Sequence, residues 1–414
     1  MLSDLVEIRK SYKFRLKTNP EIESALWQYA GHCRFVWNYF WNINRKRLER
    51  GDRIISNFLE LDFWSKILKQ SDEYSFLKEA PAHLIQQKLK DLARAYKDGF
   101  DKKQPNKRLP TVRKRQLHSS FRFPAPKQFE INNRRIKFPK IGWIGFHKSQ
   151  EIQGEIKNIT ITHHSGYWYA AINVLMERDT IYPANDSAIG IDVGVAKFAT
   201  CVSDDTEIVY EPINSYRSLE KHLAKQQKKL KNKKRISNNW SKQNRKIQKI
   251  HSKIANIRND YLHKISTEIS KNHAMIFIEN LKVANMSRSA KGTDEKHGKN
   301  VKAKSGLNKS ILDQGWHKFR TQLQYKSHWN GGQLIAVDPK YTSQKCAFCG
   351  HRDKDNRQSQ SKFECTSCGH QANADINAAR NILAAGHVVL ACGAGSLDTA
   401  MKQEPLGIRE VIPA

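Results

Sequence analysis

Two cysteine pairs, Cys346-x2-Cys349 and Cys365-x2-Cys368, stand 15 residues apart. That spacing lies within the window of a four-thiolate zinc ribbon. Each pair presents two thiolates to a tetrahedral Zn²⁺, and Gly350 and Gly369 permit the tight turns that aim backbone amides at sulfur. A closed Cys₄ site leaves no open coordination position, so its zinc is structural. The other cysteines, Cys33, Cys201 and Cys392, stand singly. Seven cysteines so arranged read as one metal site in a reducing compartment, not a disulfide framework.

Elsewhere the apolar periodicity changes several times. Ile8 to Leu16 alternates and predicts a basic strand. From Pro20 the step becomes three or four, through Leu26, Tyr29, Cys33, Val36 and Phe40. Phe58 to Leu68 and His83 to Phe100 read as further helices. Residues 101–124 form a basic, proline-punctuated loop carrying Arg113, Lys114 and Arg115. Four short strands are predicted over 135–138, 142–146, 156–162 and 167–174, spaced for a small barrel or sandwich. Ala188 to Asp192 reads as a buried strand, with a hairpin partner over 197–202. Ala290 to Gly306 is expected to be a mobile surface loop.

Charge narrows the partners. The net charge is +32, an excess that repels itself unless a polyanion neutralises it. Residues 217–271 hold 17 lysines or arginines against three acids, on two amphipathic helices joined near Lys233, Lys234 and Arg235. One-signed charge of this density favours phosphate contact over a merely solvated face. On the first helix, Trp37 and Phe40 share the apolar stripe, whereas Tyr39 and Trp41 lie off it and are candidates for stacking on bases. No stretch approaches the roughly 18 apolar residues of a membrane span. The first residues, with Asp4 and Glu7, lack a secretory pattern, so a cytosolic setting is expected.

Asp192 closes the strand Ile189-Gly190-Ile191, Glu279 closes Met275-Ile276-Phe277-Ile278, and Asp375 opens a helical pattern. Three such carboxylates could share a pair of hard cations and serve phosphodiester hydrolysis. Spacing alone leaves a plainer reading open, since an acid after a strand commonly caps a turn and Asp375 suits a helix N-terminus. His163-His164 is no metal pair, because neighbours on a strand face opposite ways. Phosphate-loop and His-Glu-x-x-His motifs do not occur.

Taken in order, several segments resemble the OrfB/TnpB family, insertion-sequence-encoded relatives of compact type V CRISPR effectors. They include Arg9-Lys10-Ser11-Tyr12-Lys13-Phe14, Cys33-Arg34-Phe35-Val36-Trp37-Asn38 and Phe138-Pro139-Lys140-Ile141-Gly142. Further on come Gly190-Ile191-Asp192-Val193-Gly194, Ile278-Glu279-Asn280-Leu281, Asp313-Gln314-Gly315-Trp316 and Asp375-Ile376-Asn377-Ala378-Ala379.

The resemblance implies a multidomain α+β chain: a wedge-like β-barrel (1–19 and 121–182), a helical recognition module (20–120), an RNase H-like (RuvC) α/β nuclease domain (183–340 and 373–414) and an inserted zinc ribbon (341–372). It implies catalysis by Asp192, Glu279 and Asp375 with Mg²⁺ or Mn²⁺, and zinc on Cys346, Cys349, Cys365 and Cys368. The implied partners are a guide RNA and double-stranded DNA cut beside a short adjacent motif, in a bacterial or archaeal cell. Ala374 stands where the family often has arginine, a change expected to alter rate or substrate contact. A nuclease-silent RNA-guided regulator and an unguided RuvC-type branched-DNA nuclease are the alternatives. The intact acids speak against the first, and the modules preceding the nuclease against the second.

Overall fold

The computed structural model describes residues 5–115, 119–179, 187–293 and 296–392. The expected boundary at 182/183 and the segment 393–414 lie outside the described residues. The chain divides into two compact units, the first ending at Asp179.

In the first unit, β1 (Leu5–Arg15) leads into the 30-residue helix α1 (Pro20–Glu49). Asn19 caps that helix by accepting from the Ile22 amide, and Pro20 occupies the first turn, where its missing N–H costs nothing. The short α2 (Phe58–Leu68) and α3 (Ala82–Phe100) follow. Leu26, Cys33, Val36 and Phe40 of α1 and Leu84, Leu89, Leu92 and Tyr96 of α3 belong to one core, shared with the adjoining sheets.

Four strands, β2 (Ser120–Phe123), β3 (Glu130–Asn132), β4 (Arg135–Phe138) and β5 (Gly142–Gly145), precede the long pair β6 (Glu155–His164) and β7 (Tyr167–Asp179). They form an antiparallel sheet ordered β1-β7-β6-β2 and a three-stranded sheet β3-β4-β5. A bridge between Leu16 and Phe146 links the two. The loop expected over 101–124 is therefore shorter: Ser120–Phe123 pairs with β6 through alternating buried phenylalanines.

The second unit contains β8 (Ala188–Val193), β9 (Ala199–Val202), β10 (Glu207–Tyr210), the helical hairpin α4 (Ser215–Lys231) and α5 (Asn238–Asn272), and β11 (Met275–Glu279). A short α6 (Val283–Met286), α7 (Val301–Gln314), α8 (Trp316–Trp329) and β12 (Gln333–Val337) come next. The hairpin β13 (Lys362–Glu364) and β14 (Gln371–Asn373) runs directly into α9 (Ala374–Ala391). The surface loop expected over 290–306 gives way to α7 at Val301.

The main sheet is ordered β10-β9-β8-β11-β12, with β10, β9 and β8 antiparallel and β8, β11 and β12 parallel. Both faces are covered, as a largely apolar β8 and β11 require. Ile189, Ile191, Ile276 and Ile278 pack with Leu262, Ile265 and Ile269 of α5 and Phe319 and Leu323 of α8. Ala188 and Phe277 pack on the opposite side with Ile382 and Leu383 of α9. Gly190 sits where a Cβ would lie 2.3 Å from the Ala379 carbonyl oxygen, so only glycine admits α9 this close.

Candidate active site and its cysteine ribbon

Parallel pairing of Ile191 with Ile278 brings Asp192 and Glu279 to the same end of neighbouring strands. Asp375 reaches them from the first turn of α9, where the Asn373 side chain accepts from the Asp375 amide and fixes the helix start. The Asp192 carboxyl is pushed up to about 7, chiefly by burial and then by the negative charges of Glu279 and Asp375. Arg357 and the Val193 amide oppose that rise. Burial also raises the Glu279 carboxyl, against the pull of a hydroxyl bond from Thr342 to its Oε1 at 2.6 Å. Arg357 lies with Nη2 3.5 Å from Asp375 Oδ1, and donates to the Ser359 and Gln360 carbonyls. Asp192 thus lies within reach of the charges of Glu279 and Asp375, with a hydroxyl bonded to Glu279 and a guanidinium beside Asp375. Thr342 opens Thr342-Ser343-Gln344-Lys345-Cys346, a further segment that carries the family resemblance. Neither its bond to Glu279 nor the place of Arg357 follows from periodicity, which does not connect the ribbon to the sheet.

The four cysteine sulfurs all lie within 4.8 Å of one another. Cys346 Sγ to Cys368 Sγ is 3.8 Å and Cys349 Sγ to Cys365 Sγ is 3.6 Å. These separations are far too long for disulfides and close to the roughly 3.8 Å between thiolates tetrahedrally disposed at about 2.3 Å from a zinc ion. The two knuckles match: Gly350 and Gly369 adopt φ of 78° and 72°, and their amides donate to the Cys346 and Cys365 carbonyls at 3.0 Å. Backbone amides of Cys368 and Ser367 directed at Cys365 lower its thiol to about 6, which favours the thiolate a metal needs. Among the described residues these four cysteines are the group of His, Cys, Asp or Glu placed to hold a metal ion.

The ribbon is keyed onto α9 by two buried asparagines. Asn377 accepts from the Ala347 amide and donates to the Lys345 carbonyl, and Asn381 donates to the Thr342 and Lys345 carbonyls. The segment that holds Glu279 is therefore tied to the helix that carries Asp375.

The nucleic-acid candidates are dispersed. Lys233, Lys234 and Arg235 are exposed in the turn between α4 and α5. Lys114 and Arg115 are exposed, while Arg113 lies over the Trp37 ring at 4.0 Å. The Trp41 indole donates to the Pro110 carbonyl, and Tyr39 is half-buried against Phe40 and Tyr74. Trp41 thus anchors the basic segment to α1, a use of the aromatic run that periodicity did not reveal. His163 packs between Trp27 and Trp168.

Three family models match: residues 8–53 fit a model described as "Helix-turn-helix domain", 171–290 one described as "Probable transposase" of OrfB type, and 316–382 one described as "Cas12f1-like, TNB domain". Within 8–53 the structure has a strand and one unbroken helix. An Escherichia coli (strain K12) protein named "Putative RNA-guided DNA endonuclease InsQ" is 48% identical over 96% of this chain and 97% of its own length. The chain belongs to the OrfB/TnpB family. A Streptomyces pristinaespiralis relative named "Putative RNA-guided DNA endonuclease" is 27% identical over 98% of the chain and 99% of its own length. Sulfoacidibacillus thermotolerans Cas12f1, named a CRISPR-associated endodeoxyribonuclease, is 28% identical over 56% of the chain and 54% of its own length. The solved mini-RNA-guided endonuclease CRISPR-Cas_phi3 aligns over 91% of this OrfB/TnpB chain and 92% of its own, with 11% identity and a TM-score of 0.47.

Proposed function

We propose that the chain is an RNA-guided, metal-dependent DNA endonuclease of RuvC type, carried by an insertion sequence and working in the cytosol of a bacterial or archaeal cell. The observation that carries this reading is the convergence of Asp192, Glu279 and Asp375 from two parallel strands and a helix. The names of the full-length relatives support the guided, DNA-cutting part. No helix among the described residues is long and apolar enough to cross a membrane.

The donor set suits hard divalent cations: three carboxylates, with the charges of Glu279 and Asp375 acting on Asp192. Two Mg²⁺ or Mn²⁺ ions shared among them would supply an activated water and charge for the leaving oxygen. Thr342 holds the Glu279 carboxylate in place, and Arg357 sets Asp375. The exposed cations of the α4–α5 turn, with Arg113, Lys114 and Arg115, hold RNA and DNA phosphates. Base pairing by a guide RNA then reads the target, beside a short adjacent motif read by the protein. Zinc on the four cysteines keeps the ribbon folded and Thr342 and Arg357 in place.

The test is to purify the chain expressed with its flanking DNA, sequence the RNA it retains, and assay a matching duplex with Mg²⁺. One abundant RNA and guided cutting are expected. Asp192→Ala, Glu279→Ala and Asp375→Ala should each lower cleavage at least about 10³-fold while guided DNA binding persists. Cutting by an Asp192→Ala, Glu279→Ala double variant overturns the assignment, and heterogeneous RNA with unguided cutting overturns the guide.

A further inference from the structure

A cleft of about 380 Å³ opens beside Glu279, between the end of β11, the segment through α6 and the start of α8. Its volume is at the lower end for ligand-binding clefts, which run from about 300 to 1,000 Å³. The floor is apolar, formed by Val193, Leu281, Val283 and Trp316. Around it stand three basic side chains, Lys282, His317 and Arg320, none paired with a carboxylate among the described residues. Arg320 is oriented by a 2.7 Å bond from Nη1 to Asn280 Oδ1, which leaves its other donors available. The Trp316 indole is buried, and its Nε1–H has no partner.

An apolar floor and a basic rim match a flat heterocycle attached to a phosphate. A small inorganic anion would leave the floor uncovered, and an apolar peptide would bury the rim's charges. Because Glu279 also lines the cleft, an occupant would lie beside whatever the three acids act upon.

We propose that this cleft is a nucleotide subsite, taking one nucleotide of the DNA strand being cut, with its base on the floor and its phosphate on Lys282, His317 and Arg320. The inference rests on the nuclease reading above and adds a positional requirement to it. The strand is seated by a nucleotide beside the scissile phosphate, not by phosphates alone. Arg320 and His317 act as positioning residues.

Two measurements on the full chain with its copurifying RNA test this. In the first, single-stranded DNA carrying 5-iodo-2′-deoxyuridine at successive positions is irradiated on the Asp192→Ala variant and crosslinks are mapped by mass spectrometry. The expected result is one register that crosslinks within 281–285 or 316–320, with a yield at least about fivefold lower in Arg320→Ala. In the second, an abasic site is walked through the cut strand of a duplex matching that RNA. One position should slow cleavage about tenfold, the scale of one lost base contact. In Val283→Trp, which fills the cleft, that position should lose its effect. Crosslinks confined to other segments, or equal cleavage at every abasic position, overturn the subsite. If Asp192→Ala cuts like the parent chain, the nuclease reading fails, and the crosslink map alone then decides the cleft.

Discussion

Asp192 sets the behaviour of the site with pH. Its folded-state value of about 7 lies well above the usual carboxylate range, so between pH 4 and 7 the folded chain keeps a proton that the unfolded chain has lost. The unfolded state binds fewer protons there, and stability falls as pH rises through this window. Thermal unfolding without divalent metal should therefore shift to lower temperature from pH 5 to 7.5, by an amount worth a few kcal/mol at most, and Asp192→Asn should flatten the trend. Added Mg²⁺ should raise Tm more at pH 8 than at pH 5.5, because only the ionised acids attract it. Thr342 supplies a second residue-scale test. Thr342→Val removes the donor to Glu279 at nearly constant volume, and a hydrogen bond to a charged group is worth about 1.5–3 kcal/mol. The turnover rate should fall about tenfold or more with little change in DNA affinity, and Thr342→Ser should restore most of it. The two strand-end acids were legible as acids closing apolar runs, which suits a turn equally well, and it is the resemblance that joins them to Asp375. The Thr342 bond was not legible, since it spans 63 positions and no local pattern encodes such a contact.

At the level of elements, the ribbon acts as a clamp on α9. Cys365→Ser should release zinc, measured by elemental analysis, and lower cleavage together with stability. Asn377→Ala should retain zinc yet lose about 1–3 kcal/mol, because the Ala347 amide and Lys345 carbonyl lose a buried partner. Unchanged cleavage by both variants would refute the clamp. The cysteine spacing announced the ribbon, and strong periodicity announced α1, α3 and α5. The helix α7 escaped notice because few of its side chains are buried, so it carries little apolar rhythm and includes Gly306. The strand β12 escaped because Gln333–Val337 is short, and only its parallel pairing with β11 identifies it.

Across the whole molecule, charge and architecture divide the work. The helix α5 runs for 35 residues, about 52 Å at 1.5 Å per residue. Its hairpin with α4 is fixed at the base by Asp313, a buried carboxylate that accepts from the Ser215 hydroxyl and the Tyr216 amide and faces Arg258 at 3.7 Å. At the far end Lys233, Lys234 and Arg235 stand exposed. Replacing all three by alanine should weaken nucleic-acid binding and flatten the slope of log K against log salt by about 2, as expected for three lost phosphate contacts. An unchanged slope would exclude the turn from the interface. The sign of this surface was readable from composition. The role of Asp313 was not, because a lone acid on an otherwise ordinary helix gives no sign that another helix begins against it.

The order of the three acids along the chain has a consequence during protein synthesis. Asp192 and Glu279 leave the ribosome well before Asp375, whose helix follows the cysteine ribbon in the chain. At about 5–20 residues per second, the interval from first to third acid is on the order of ten to forty seconds. The basic hairpin, complete at Asn272, is already made while Glu279 and Asp375 are still to come. On the proposed function, a chain terminated between the hairpin and Asp375 would hold nucleic acid without the third acid needed to cut it.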